Sequence, residues 1–197
     1  MTCIIAYTNG KESFIAGDKL GSNGFTKSVM VEPKIFEKKF IKVQENGVNQ
    51  EEESIAIGGT TSFRMLQILD HKLKLPVQPK ETTFIQYLVN NVIPEIRKIF
   101  KEEWGSRDTS QEVGGGQFIL LHNHVIYEVQ EDFSVLQPKT NITSVGSGTY
   151  HAIGAMQAFL IASEITGTEF VDNVSDIFKI ISDNVTSVSA EYDIFVY

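Results

Sequence analysis

Two short apolar runs open the chain, residues 2–8 and 13–17, and the turn Asn9-Gly10-Lys11-Glu12 stands between them. An Asn-Gly pair between apolar runs is a strong hairpin signal, because both residues tolerate the positive φ that a tight turn between twisted strands demands. The chain is thus expected to begin as two paired strands, the second ending in Ala16-Gly17-Asp18. The first strand starts at once after Met1-Thr2, with no basic flank of the kind a secretory signal carries. Methionine removal is favoured when the following residue is small, as Thr2 is, and would leave a hydroxyl and a free α-amine on one residue. Such an amine has a pKa of about 7.7–8.0, low enough to act as a base near neutrality. A threonine activated by its own terminal amine is a recognised nucleophile. The plain alternative for Thr2 is the first residue of a strand.

Bulk properties narrow the classes. At 197 residues the chain fits one domain, 1–197, with room for a sizeable core. A net charge of -8 argues against a nucleic-acid surface spread over the molecule, since phosphate contacts need clustered Lys and Arg. No apolar run is long enough for a bilayer helix, so no membrane partner is expected. Cys3 is the single cysteine, which precludes an internal disulfide and fits a reducing cytoplasm.

Further along, Val29, Val31, Ile35 and Phe36 suggest extended chain, and residues 38–43 continue in a mixed pattern. The polar, acidic segment Gln44 to Ser54 reads as an exposed hairpin loop around Asn46-Gly47, with Glu51-Glu52-Glu53 as a solvated charge run. Ile55 to Gly59 reads as a buried strand, and Phe63, Leu66, Leu69 and Leu73 then recur at helical spacing. A second helix is expected over residues 83–103, broken near Val92 by Pro94. After Trp104, read as a local anchor, and Gly114-Gly115-Gly116 come strands at 117–121, 125–130, near 133–137 and at 142–145. Helices are expected from about Tyr150 to Ile165 and Val171 to Val188, with a last strand at Ile194–Tyr197. Strands and helices fall in blocks, which predicts an α+β layered sandwich over a doubly wound parallel sheet.

Several residues could carry chemistry. A lysine beside the Thr2 hydroxyl would ease a developing alkoxide, and an aspartate would hold that lysine charged; Lys34 and Asp18 are the candidates if the third strand returns beside the hairpin. Taken singly, Asp18 reads as a turn residue and Lys34 as a solvated lysine. Gly58-Gly59 could offer a backbone N–H to an oxyanion, or be a plain tight turn. Gly146-Ser147-Gly148 before a helix could cradle phosphate, but position 151 is His151 where a dinucleotide fingerprint needs glycine, and no Walker lysine follows. His122 and His124 read as turn residues rather than metal ligands. No cofactor is expected.

Together these features resemble the proteasome β-subunit family, and within it the bacterial HslV-type peptidase. The matching residues are Met1-Thr2 with Cys3-Ile4-Ile5-Ala6, Phe14-Ile15-Ala16-Gly17-Asp18, Lys34, Ala56-Ile57-Gly58-Gly59-Thr60, and Val145-Gly146-Ser147-Gly148. The resemblance covers nearly the whole chain, and the spacing from Thr2 to Asp18 and Lys34 equals the family's without a gap. It implies a four-layer α-β-β-α sandwich of the N-terminal nucleophile hydrolase type. It further implies Thr2 as nucleophile, Lys34 lowering its pKa, Asp18 orienting Lys34, the Gly58 N–H stabilising the oxyanion, and Ser147 in the network around the amine. The family usually carries an aspartate three residues before a serine near the C-terminus. Here Ser189 supplies the serine while Thr186 stands in place of the acid.

The resemblance implies a threonine peptidase acting on polypeptides, assembled in a homo-oligomeric ring and served by an ATPase unfoldase. Two other readings stand beside it. One is a non-catalytic proteasome-type subunit that retains Met1; the joint presence of Thr2, Asp18 and Lys34 argues against it. The other is a small-amide hydrolase using Cys3, which the spacing to Asp18 and Lys34 disfavours.

Overall fold

A computed structural model describes residues 2–22, 25–44, 50–103 and 116–197. In chain order its elements are β1 (Cys3–Thr8), β2 (Ser13–Asp18), β3 (Leu20–Ser22), β4 (Lys27–Val29), β5 (Ile35–Val43) and β6 (Gln50–Gly59). Then come α1 (Phe63–His71), α2 (Phe84–Tyr87), a π turn (Leu88–Val92) and α3 (Ile93–Glu103). The chain continues through β7 (Phe118–His122), β8 (Val125–Val129), β9 (Val135–Leu136), β10 (Ile142–Gly146), α4 (Thr149–Thr166), α5 (Val174–Asn184) and β11 (Tyr192–Val196). One antiparallel sheet has the order β10-β1-β2-β11 and the other β5-β6-β7-β8-β9. The N-terminal hairpin forms as expected, with Ile4 opposite Gly17 and Tyr7 opposite Phe14. Gly10 takes φ +84 in its turn, where the Asn9 side chain accepts from the amides of Lys11 and Glu12.

Side-chain alternation along β1 explains the layering. Cys3, Ile5 and Tyr7 join Phe14, Ala16, Met156, Ile177 and Phe178 in a core beneath α4 and α5. Ile4 and Ala6 point the other way, against Ile15, Ile35, Ala56 and Ile119 between the two sheets. A strand covered on both faces has no polar side to show, which is why residues 4–6 are uniformly apolar. The outer face of the second sheet packs Phe36, Ile57 and Leu120 against Leu69, Ile96 and Phe100 of α1 and α3. The result is the expected α+β sandwich of two sheets between two helical layers. Burying each such side chain contributes about 1.5–3 kcal/mol. Gly17 and Gly58 both face the inter-sheet core, where an added Cβ would lie 2.8 and 2.7 Å from Ile4.

Several local expectations change. The break before Pro94 takes the form of the π turn, which widens the helix where proline cannot donate to the carbonyl four residues back. β6 begins at Gln50, so the acidic run is strand rather than loop, with Val43 opposite Gln50. Glu53 within it is mostly buried, bridging Lys42 at 2.8 Å and His122 at 2.9 Å. His122 closes β7, and Asn123 and His124 make the turn with φ of +46 and +59. β3 and β4 pair antiparallel, with Leu20 opposite Val29 and Ser22 opposite Lys27. The last helix stops at Asn184, because Val185 turns extended, so residues 185–191 form a loop. Met1, Asn46-Gly47, Trp104, Gly114 and Gly115 lie outside the described residues. Among the described residues, no helix is long and apolar enough to cross a membrane.

Candidate active site

The strand alternation that divides the core also divides Thr2 from Cys3. Thr2 shares the parity of Ile4 and Ala6 and so belongs to the inter-sheet side, at the open end of β1. Cys3 lies under the start of α4; a Cβ on Gly148 would come within 2.8 Å of its Sγ and within 2.9 Å of Ile181. Burial pushes the Cys3 thiol up to about 12, against a smaller lowering by its contact with Ser144.

Asp18, at the end of β2, is fully buried and surrounded by donors. Its Oδ1 accepts from Lys34 Nζ and from the Cys3 amide, each at 2.8 Å. Its Oδ2 accepts from the amides of Leu20 at 3.0 Å and Ser189 at 3.3 Å. A carboxylate, which only accepts, is the side chain suited to such a cage. Neither plain alternative describes these two residues: Asp18 is no exposed turn residue, and Lys34 is 1% exposed. Lys34 also donates to the Leu20 carbonyl at 2.7 Å, and its Nζ stands 5.9 Å from the Phe63 ring centre. Burial pulls the Lys34 pKa below the ordinary lysine value, and Asp18 opposes that shift without cancelling it.

At the other side of Thr2 stands a cluster of hydroxyls. The Thr2 amide N–H donates to Ser147 Oγ at 3.3 Å, and Ser147 Oγ lies 3.3 Å from the Thr2 carbonyl and 2.9 Å from Ser187 Oγ. Gly146 makes the approach possible. Its φ is +105, and a Cβ there would sit 2.2 Å from the Thr2 carbonyl oxygen. Gly148 precedes the first residue of α4 and brings Ser147 over the strand end.

Gly58 and Gly59 end β6. The Gly59 N–H donates to the Lys34 carbonyl at 3.1 Å, and the Thr60 N–H to the Gln117 carbonyl at 3.0 Å. Successive amides in a strand point to opposite edges. The Gly58 N–H is therefore turned towards β7, where Ile119 is its partner, and the amide on the Lys34 side belongs to Gly59. Ser189 reaches Asp18 through its backbone, while its hydroxyl accepts from Lys19 N and donates to the Glu191 carbonyl. Hydrogen bonds thus join Asp18, Lys34 and Ser189 in one group and Thr2, Ser147 and Ser187 in another, and the Thr2–Cys3 peptide links the two. Ser187 falls in a stretch that the sequence predicts as helix up to Val188; the single apolar Val188 among Thr186, Ser187 and Ser189 is the signal for extended chain, and Val188 is a core residue.

No protein-family model matches the sequence, and no curated protein matches it at the sequence level. Solved structures do. BPH from Thiobacillus denitrificans, in complex with epoxomicin, is 19% identical with a TM-score of 0.70, and the match covers 100% of this chain and 98% of that one. HslV from Trypanosoma brucei is 16% identical with a TM-score of 0.62, covering 99% and 98%. Anbu from Pseudomonas aeruginosa, solved as a helical assembly, is 12% identical with a TM-score of 0.63, covering 100% and 81%. At these identities the likeness is one of architecture. The chain has the proteasome-like fold of HslV, an N-terminal nucleophile hydrolase fold.

Proposed function

We propose that the protein is a threonine endopeptidase of the proteasome-like, HslV-like kind, acting through Thr2 once Met1 is removed. The observation that carries the reading is the buried Lys34–Asp18 pair, tied through the Cys3 amide to the residue following Thr2. An ion pair with side chains 1% and 0% exposed is costly to desolvate and contributes little to stability by itself. A lysine held beside a nucleophile is a reason to bear that cost. In the reaction, the α-amine takes the Thr2 hydroxyl proton as Oγ attacks the peptide carbonyl. Lys34 favours the developing alkoxide; the Gly58 and Gly59 amides are taken by the sheet, paired with Ile119 and the Lys34 carbonyl, and are not free for the oxyanion. The amine returns its proton to the leaving amine, and water then hydrolyses the acyl-threonine ester, which restores the hydroxyl.

The same reading takes the protein to self-associate, as the Anbu helical assembly does, into a ring in a reducing cytoplasm, with an ATPase delivering polypeptide. The test is the intact mass after incubation with a peptide epoxyketone, a reagent requiring both a threonine hydroxyl and a free α-amine. Loss of Met1 with one adduct per chain, abolished in Thr2→Ala, is the expected result. Retained Met1 without an adduct would move the protein to the non-catalytic reading.

A further inference from the structure

Ser187 is 95% buried in effect, at 5% exposure, and its hydroxyl meets Ser147 Oγ at 2.9 Å. A serine hydroxyl has one proton and two acceptor sites. The Ser147 proton can therefore go to Ser187 or to the Thr2 carbonyl, but not to both. A base amine must keep its lone pair for the Thr2 hydroxyl and direct its own N–H groups at acceptors. Ser147 meets that need when its proton is turned to Ser187 and its lone pairs face Thr2 N. We propose that Ser187 is a positioning residue that orients the Ser147 hydroxyl as an acceptor and keeps the environment of the Thr2 amine free of negative charge. The inference rests on the peptidase reading for its consequence in catalysis.

The charges around the amine support this. β2 contributes Asp18, which is already held by Lys34 and three amides, and the entry to β5 contributes Lys34. Cys3 on β1 faces the helices. From the β10–α4 turn the Ser147 hydroxyl reaches Thr2 N, and from the 185–191 loop the Ser187 hydroxyl reaches Ser147. His151, Glu191 and Arg64 of the surrounding elements are exposed. An amine facing hydroxyls stays neutral to lower pH than one facing a carboxylate, since an adjacent opposite charge favours the charged form.

The test compares wild type with Ser187→Ala, Ser187→Thr and Ser187→Asp. Two quantities are read across pH: the rate of epoxyketone adduct formation, and the rate of carbamylation of the Thr2 amine by cyanate, with thermal unfolding as control. Ser187→Ala is expected to slow adduct formation roughly five- to tenfold, the equivalent of one lost hydrogen bond, and Ser187→Thr to restore it. Ser187→Asp is expected to move the amine's titration midpoint up by about one unit or more. Unchanged profiles in the Ala and Asp variants would overturn the proposal. A processed wild type that takes no adduct, yet shows the midpoint shift in Ser187→Asp, would sink the peptidase reading and leave Ser187's role standing.

Discussion

Lys34 Nζ donates to Asp18 Oδ1 at 2.8 Å, and neither side chain has meaningful contact with solvent. The carboxylate that holds the lysine also binds the amides of Cys3, Leu20 and Ser189, so one side chain ties β1, the start of β3 and the 185–191 loop to the site. Replacement of Asp18 thus acts on fold and chemistry together. Asp18→Asn puts an amide NH2 against one pair of these donors and leaves Lys34 buried without an anion. Removing one partner of a buried pair costs about 3–5 kcal/mol. The expected outcome is a lower urea midpoint and loss of epoxyketone labelling; unchanged labelling would remove Asp18 from the mechanism.

The lowered pKa of Lys34 sets a sign for pH. Between that lowered value and the ordinary lysine pKa of about 10.4, the unfolded chain binds more protons than the folded one. Lys34's contribution to stability therefore grows as pH rises through this window. Because burial raises the pKa of tyrosines that unfolding releases, the measurement is the difference in unfolding free energy between wild type and Lys34→Met. That difference should shift in favour of wild type from pH 8 to 10. Activity should run the opposite way, with its alkaline limb below about 10.4 as the lysine loses its proton. A limb at or above that value would show that Lys34 charge is not needed.

Gly146 admits the Thr2 carbonyl to a space that a methyl group would fill. In Gly146→Ala the new Cβ meets backbone at 2.2 Å and the φ of +105 becomes strained, so Thr2 must move. A displacement near 1 Å costs about 100-fold in rate. Adduct formation should fall by that order while the β1–β2 hairpin survives, as circular dichroism would report.

Cys3 offers the contrasting substitution. Its thiol, pushed up to about 12 and packed beneath α4, is protonated at neutral pH. Native protein should resist iodoacetamide, and Cys3→Ser should keep its epoxyketone adduct, because the Cys3 side chain faces Ser144 and the helices, away from the reacting groups. Rapid alkylation of the native thiol, or loss of the adduct in Cys3→Ser, would contradict the alternation that separates the two residues.

The chain's own sequence determined the opening hairpin, the helix stripe interrupted by Pro94, the block order of strands and helices, and the intervals linking Thr2, Asp18 and Lys34. These follow from backbone preferences and side-chain periodicity, which act over a few residues and are legible in one dimension. Only the tertiary structure decided that Cys3 faces the helices while Thr2 faces the second sheet, since that choice depends on what lies on either side of β1. It likewise decided that α5 ends at Asn184, that Ser187 meets Ser147 from forty positions away, and that Glu53 is buried against His122 and Lys42. Such contacts arise where distant segments pack. The energy that fixes them belongs to the assembled core, and no short stretch of sequence contains it.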